Sequence, residues 1–299
     1  MSNIKSKIRV AILGYGNIGR AAEQAILAAP DMELAGIYHH DEIGTITCNP
    51  SPVTPNPDVV LICTPTREVP HFAPLLLSHG ICTVDSFDIH GDIYDLRSQL
   101  TPLARNNKAV SIISAGWDPG SDSMVRALMT ALMPEGTTYT NFGPGRSMGH
   151  TVAAKAIPGV KDALSMTLPA GKGVHNRHVY IELLPGYKFE DVKAALLRDD
   201  YFAHDKTEVE LVDSVAALNT TAHGVLIERD GTVCAHDGQH LDFGMRIDNP
   251  SLTGQFMVSC ARAALRMKKA GRYGAYTTIE LAPFDLLPGS EEQRIRSLV

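Results

Sequence analysis

The sequence predicts an α/β protein, a doubly wound parallel sheet followed by a second, α+β domain. Three observations carry the prediction. Between residues 8 and 114 five short apolar runs, IRVAIL (8–13), ELAGIY (33–38), DVVLIC (58–63), GICTVD (80–85) and AVSIIS (109–114), alternate with segments of helical spacing at 20–29, 69–79 and 93–106. Near-continuous apolar strands joined through helices belong to a parallel sheet covered on both faces. The first run leads directly into GYGNIG at 14–19, and beyond Gly116 strand-like runs outnumber helical ones.

At 299 residues the chain is long enough for two domains. Its composition, 44% hydrophobic and 20% charged, is that of a globular protein with a substantial core. The net charge of −6, without a block of like charges, makes nucleic acid and anionic membranes poor partners. No apolar run approaches the roughly 18 residues that span a bilayer. The basic start is followed by too short an apolar stretch for a signal peptide, because those residues are needed as a strand. The cysteines, Cys48, Cys63, Cys82, Cys234 and Cys260, form no CxxC pair. Reduced thiols and a cytoplasmic location are therefore expected.

In the second half a helix is expected from Ser121 or Asp122 to about Met133, and another at 189–197. Strands are expected at 139–142, 163–168, 174–184 and 225–229. An Ala-rich amphipathic helix at 252–269 should pack back on the first domain. The expected division is a dinucleotide-binding domain at 1–117 and a substrate-binding and dimerisation domain at 118–250. The Pro-rich stretch at 49–57 reads as a surface connection.

GYGNIG, that is Gly14, Tyr15, Gly16, Asn17, Ile18 and Gly19, lies between a strand and a helix opening near Asn17. The first glycine permits the tight turn, the second lets the backbone approach a pyrophosphate, and the third lets helix and strand pack closely. Helix N-terminal amides then hold the phosphates. This is the fingerprint of a Rossmann-type sheet. After the second strand stand His39, His40 and Asp41, where an acid would bind the ribose of NAD and a base the 2′-phosphate of NADP. That pattern leaves the coenzyme preference open. Thr64, Pro65, Thr66 and Arg67 follow the third strand at its carboxyl end, where cofactor ligands sit.

Two further strands end in acidic segments, VDSFDIHGD with Asp85 and Asp88, and SAGWDPGSDS with Trp117, Asp118 and Asp122. Asp85 also reads as a group that satisfies backbone amides, and Asp122 as a helix cap. Apart from His90, these loops lack the Lys, His or Tyr that alcohol oxidation needs. Carboxylates suit an amine, because they pair with ammonium, accept its proton and stabilise an iminium. Metal chemistry is disfavoured, since His175/His178 and His236/His240 have no third ligand or HExxH context. No GxSxG elbow or Cys-His pairing supports a nucleophile. A non-catalytic dinucleotide sensor would not need so polar a crevice.

The runs SAGWDPGSDSMVRAL (114–128) and TYTNFGPGRSMGHTVAAKAIPGVKDALSMTLPAGKGVHNRHVYIELLPG (138–186) resemble the meso-diaminopimelate D-dehydrogenases. VDSFDIHGD, HGVLIER (223–229) and MRIDNPSLTGQ (245–255) extend the resemblance over nearly the whole chain. It implies NADP-dependent, reversible oxidative deamination of the D-centre of meso-2,6-diaminopimelate to L-2-amino-6-oxopimelate and ammonia, a reaction of lysine biosynthesis. GRSMGH and the short length look like the compact branch, which also aminates 2-keto acids to D-amino acids. The resemblance implies that Asp88 and Asp118 hold the reacting amine, with Trp117, Phe142 and Met148 beside it. Ser147, Met148 and Gly149 would receive the reacting carboxylate. Thr167, Arg177 and His223 would bind the distal carboxylate, and Asn249 the distal amine. Read alone, Arg177, His223 and Asn249 are more simply a surface or ion-paired residue, a packed histidine and a turn. The family usually carries arginines where this chain has His39 and His40, so NAD or dual use stays open. A homodimer is also implied.

Overall fold

The computed structural model describes residues 7–39, 57–218 and 223–299; His40, Asp41, Cys48 and nearly all of the Pro-rich stretch lie outside them. The chain forms two compact units, Met1–Val125 with Pro250–Val299, and Arg126–Asn249.

The first unit is built on strands β1 (Ile8–Leu13), β2 (Met32–Tyr38), β3 (Val59–Ile62), β4 (Cys82–Asp85), β5 (Val110–Ile113) and β13 (Gly274–Thr277). They form one parallel sheet in the order β13-β5-β4-β3-β1-β2. Successive side chains of a strand point to opposite faces, and here both faces are dry. Val10, Ile12, Val59, Leu61, Val84 and Ile112 pack with helices α1 (Asn17–Ala28) and α7 (Asn249–Lys269). Ala11, Leu13, Val60, Ile62 and Ile113 pack with α2 (Val69–Ser78) and α3 (Ile93–Asn106). The strand order turns back at β1 and β3, which makes their carboxyl ends a switch-point crevice.

The second unit is antiparallel-rich. β7 (Gly145–Arg146), β8 (Val160–Gly171), β9 (Val174–Leu183) and β10 (Lys206–Leu211) make one sheet, ordered β10-β9-β8-β7. β6 (Glu135–Phe142), β11 (His223–Val233) and β12 (His236–Ile247) make another, ordered β12-β11-β6. Helices α5 (Met148–Ala156) and α6 (Phe189–Arg198) contribute Ala154, Val192 and Leu196 to a core with Ala163, Val179 and Ile181.

Several features differ from the sequence reading, among them helix α5 and strand β10, which it did not foresee. The division expected at 117/118 falls within helix α4 (Ser121–Leu132), a continuous helix whose Met124 packs in the first core. Buried Arg229 secures the end of that helix by donating to the carbonyls of Met133 (2.8 Å) and Pro134 (3.2 Å). α7 starts at Asn249, ahead of the expected 252, so Asn249 opens a helix instead of a turn. β13 lies beyond the last expected element, because a four-residue strand is too short to show a period. β12 was also unforeseen; most of its side chains are exposed, so no apolar alternation marks it.

Candidate active site

The glycine loop follows the buried end of β1 and enters α1 with Gly16 as N-cap, and no side chain caps the helix. Its first amides are therefore left for an outside acceptor. Gly14 has φ +93°, and a Cβ there would lie 2.8 Å from the Cys63 carbonyl, so only glycine lets the loop after β3 close against it. A Cβ on Gly19 would lie 2.3 Å from the Gly14 oxygen, whereas one on Gly16 would meet nothing within 4 Å. The middle glycine thus borders open space and the outer two are fixed by packing. Beside this cradle the Thr64 hydroxyl is buried without a hydrogen-bond partner among the described residues. Burial pushes the Cys63 thiol up to about 12, which keeps it protonated.

These features fit a dinucleotide. Gly19→Ala is expected to lower stability by about 1–3 kcal/mol, because helix and strand must separate. Gly16→Ala should keep the wild-type melting temperature but weaken coenzyme binding. Denaturation curves and coenzyme titrations of the two variants check this contrast.

The remaining cofactor-side expectations sit around that cradle. Tyr15 donates its hydroxyl to Glu23, and Arg20 lies 5.6 Å from its ring centroid. Asn17 and Ile18 open α1. The Gly14 amide donates to the Tyr38 carbonyl (2.8 Å), which sets the end of β2 and exposed His39 at the mouth of the crevice. Pro65 precedes a short 3₁₀ turn, Thr66–Glu68, on which Arg67 is exposed.

The acidic segments leave adjacent strands, since β4 pairs with β5. Asp88 is exposed, and its amide donates to Thr66 Oγ1 (3.0 Å), linking the loops after β3 and β4. Asp118 is half-buried in a tight turn in which the Gly116 amide donates to the Pro119 carbonyl (3.1 Å) and the Ser121 amide to the Gly116 carbonyl (3.0 Å). Trp117 is buried, and its amide donates to Thr253 Oγ1 of α7 (3.2 Å). Thr278 Oγ1 donates to the Gly120 carbonyl (3.0 Å), so the C-terminal segment braces the same turn.

In the second unit the expected residues gather where β6 passes beside β8 and β9. Thr167 and Arg177 are register partners across β8 and β9, and Arg177 Nη1 donates to Thr167 Oγ1. Arg177 Nε donates to Asp205 Oδ2 (2.7 Å). Among the described residues Nη2 donates to none, so this nitrogen is left to meet a carboxylate. The Phe142 amide donates to His175 Nε2 (2.9 Å), and their rings stack with centroids 6.5 Å apart. That nitrogen must be unprotonated, in keeping with a His175 pKa lowered by burial and then by Arg177. Gly143 and Gly224 are joined by an amide-to-carbonyl bond of 2.6 Å, which brings His223 to the same corner. Burial lowers the His223 pKa. Ser147 is the N-cap of α5, Met148 and Gly149 are its first residues, and Ser147 Oγ lies 2.9 Å from His150 Nδ1. Asn249 closes the unit as the first residue of α7.

The coenzyme-side residues are thus borne by the first unit and the distal-carboxylate residues by the second, while those expected around the reacting amine are divided, Asp88, Trp117 and Asp118 on the first and Phe142 and Met148 on the second. His150, His175 and Asp205 were not foreseen. The only sequence signal for His175 is its two-residue spacing from Arg177 on one strand face; Asp205, 28 residues from Arg177, has none. His178 pairs with Glu210 (2.8 Å) and His240 with Asp230 (2.6 Å), and among the described residues no His, Cys, Asp or Glu cluster could hold a metal. No helix among them is long and apolar enough to cross a membrane.

The family model of the diaminopimelic acid dehydrogenase C-terminal domain matches residues 116–249. The meso-diaminopimelate D-dehydrogenase of Bacteroides fragilis is 52% identical over 98% of this chain and 99% of its own length. That of Corynebacterium glutamicum is 31% identical over 95% and 96%. Among solved structures, C. glutamicum DAP dehydrogenase in complex with DAP is similar at 30% identity with a TM-score of 0.78, covering 99% of this chain and 100% of that one. An engineered D-amino acid dehydrogenase bound to NADP+ matches at 30% identity with a TM-score of 0.70, covering 98% and 100%. The chain therefore belongs to the meso-diaminopimelate D-dehydrogenase family of nicotinamide-dependent amino-acid oxidoreductases.

Proposed function

We propose that this protein reversibly deaminates the D-centre of meso-2,6-diaminopimelate to L-2-amino-6-oxopimelate and ammonia, with NADP as coenzyme, and aminates 2-keto acids in the reverse sense. The observation that carries the reading is the pair of carboxylates, Asp88 and Asp118, borne by the loops after adjacent strands of the sheet that also builds the glycine cradle. When bound, the dinucleotide supplies a hydride acceptor at C4 of its nicotinamide. Gly14, Gly16 and Gly19 with the first turn of α1 hold its pyrophosphate, and Thr64 to Arg67 line the opposite bank.

Asp88 and Asp118 orient the substrate amine and accept its proton, and they stabilise the positive charge that grows on nitrogen as the carbon–hydrogen bond breaks. Trp117 lies beside that centre. The imine left on the substrate is hydrolysed, which releases ammonia. Ser147 and the amides opening α5 receive the reacting carboxylate, with Phe142 as apolar lining. Arg177, Thr167 and His223 hold the distal carboxylate and Asn249 the distal amine. A clamp remote from the chemistry decides which of two chemically alike centres presents its hydrogen. The first unit is the coenzyme domain in this reading, and the second is the substrate domain and the seat of a homodimer contact.

His39 and His40 stand where arginines would be expected, and an imidazole lacks the five-donor fork with which a guanidinium grips a phosphate. The preference for NADP over NAD is accordingly modest, and dual use is the alternative. Coenzyme reduction is measured at alkaline pH, where the amine is neutral, with meso-diaminopimelate and its L,L isomer, each with both coenzymes. Turnover of the meso isomer alone is expected. Turnover of neither isomer, or of both equally, overturns the reading, and a strong NAD preference removes NADP from it.

A further inference from the structure

We infer that Asp85 is a positioning residue for this reaction: its buried carboxylate holds in register the two loops that carry Asp88 and Asp118. The inference rests on the assignment of those two residues to the reacting amine.

Asp85 ends β4 and is fully buried. Its Oδ1 accepts from two amides, that of Phe87 (3.0 Å), next to Asp88, and that of Ser114 (3.1 Å), where the chain turns towards Trp117 and Asp118. Its backbone carbonyl accepts from Ala115 (2.7 Å). Ser114 has φ +59°, a left-handed conformation uncommon for a side-chain-bearing residue, and the amides of Ser114 and Ala115 both reach Asp85. The loops also touch, because a Cβ on Gly116 would lie 3.5 Å from Ser86 Cβ. The Asp85 side chain and its backbone carbonyl thus both tie the loop after β4 to the loop after β5.

A neutral acceptor would satisfy two amides without burying a charge. The carboxylate is the costlier choice, and its Oδ2 is buried with no hydrogen-bond partner among the described residues. Burial pushes its pKa up to about 7 against the pull of the two amides. The folded-state value exceeds the unfolded one, so stability present below the unfolded value is lost as pH rises towards 7. Above that pH the ionised group weakens the fold, but it grips the amides about twice as strongly as a neutral acceptor. From α7 it faces Cys260, whose thiol burial holds protonated. From the β5 side it meets backbone amides, and Thr83 of its own strand donates to the Ser111 hydroxyl (2.9 Å). The titration near 7 is thus that of Asp85 itself, with no charged neighbour among the described residues to shift it.

The test compares turnover of wild type and Asp85→Asn across the pH range, alongside Asp88→Asn and Asp118→Asn. The ratio of wild-type to Asp85→Asn turnover is expected to be about tenfold near pH 9 and to fall towards unity near pH 6, where wild type carries the neutral acid. Coenzyme affinity should not change. A ratio that is constant with pH, or unity throughout, overturns the inference. Wild-type turnover in both Asp88→Asn and Asp118→Asn overturns the underlying reading instead. If Asp85→Asn does not fold, amide NMR of the coenzyme-free wild type decides: the Phe87 and Ser114 resonances should titrate together with one midpoint near 7. Separate midpoints, or no titration, overturn the inference.

Discussion

Asp118→Asn is expected to lower turnover of meso-diaminopimelate by about 10²- to 10⁴-fold, the range typical for losing a general base, with coenzyme affinity essentially unchanged. The substitution keeps the shape of the side chain and the turn that presents it. That turn is over-determined: a Cβ on Gly120 would lie 1.9 Å from the Gly116 oxygen, and Thr253 and Thr278 brace it from elsewhere in the unit. What disappears is the negative charge and the ability to take a proton. Single-turnover kinetics with saturating coenzyme separate this effect from binding, and wild-type turnover would remove Asp118 from the chemistry. The same measurement on Asp88→Asn shows which carboxylate accepts the proton, since the larger loss of single-turnover rate marks it.

Arg177→Ala should lower kcat/KM for meso-diaminopimelate by about 100-fold, through loss of a charge-assisted, two-pronged contact. Small 2-keto acids, which have no distal carboxylate, should be nearly unaffected. The geometry supports so selective an effect. Asp205 and Thr167 hold Nε and Nη1 of the guanidinium, and its Nη2 donates to no described residue. Asp205 also offsets the arginine's charge in the absence of substrate, while His150 Nε2 lies 4.0 Å from the same carboxylate oxygen. Burial and Arg177 lower the His150 pKa, which favours its neutral form. Steady-state kinetics with both substrate types check the result; equal losses would contradict a distal position for Arg177.

Much of the first unit was legible because its rules are local. Parallel strands announce themselves as short apolar runs, and the alternation of Val10, Ile12 and Ala11, Leu13 between two cores follows from a period of two. The glycine loop is equally local: which glycine packs and which faces open space follows from the strand–turn–helix geometry in which the motif sits. The second unit was less legible. β10 and β12 expose most of their side chains, so no alternation marks them.

The sequence by itself determined the doubly wound sheet, the cradle at its switch point and the acidic strand ends, because each depends on spacings of a few residues. Only the tertiary structure decided that Asp205 orients Arg177, that His175 accepts from Phe142, and that Asp85 ties Phe87 to Ser114. Apart from the local Phe87–Asp85 bond, those contacts join residues distant along the chain, through hydrogen bonds between separate strands and loops. Such bonds leave no period in the sequence, since their partners become neighbours only once the sheets have formed.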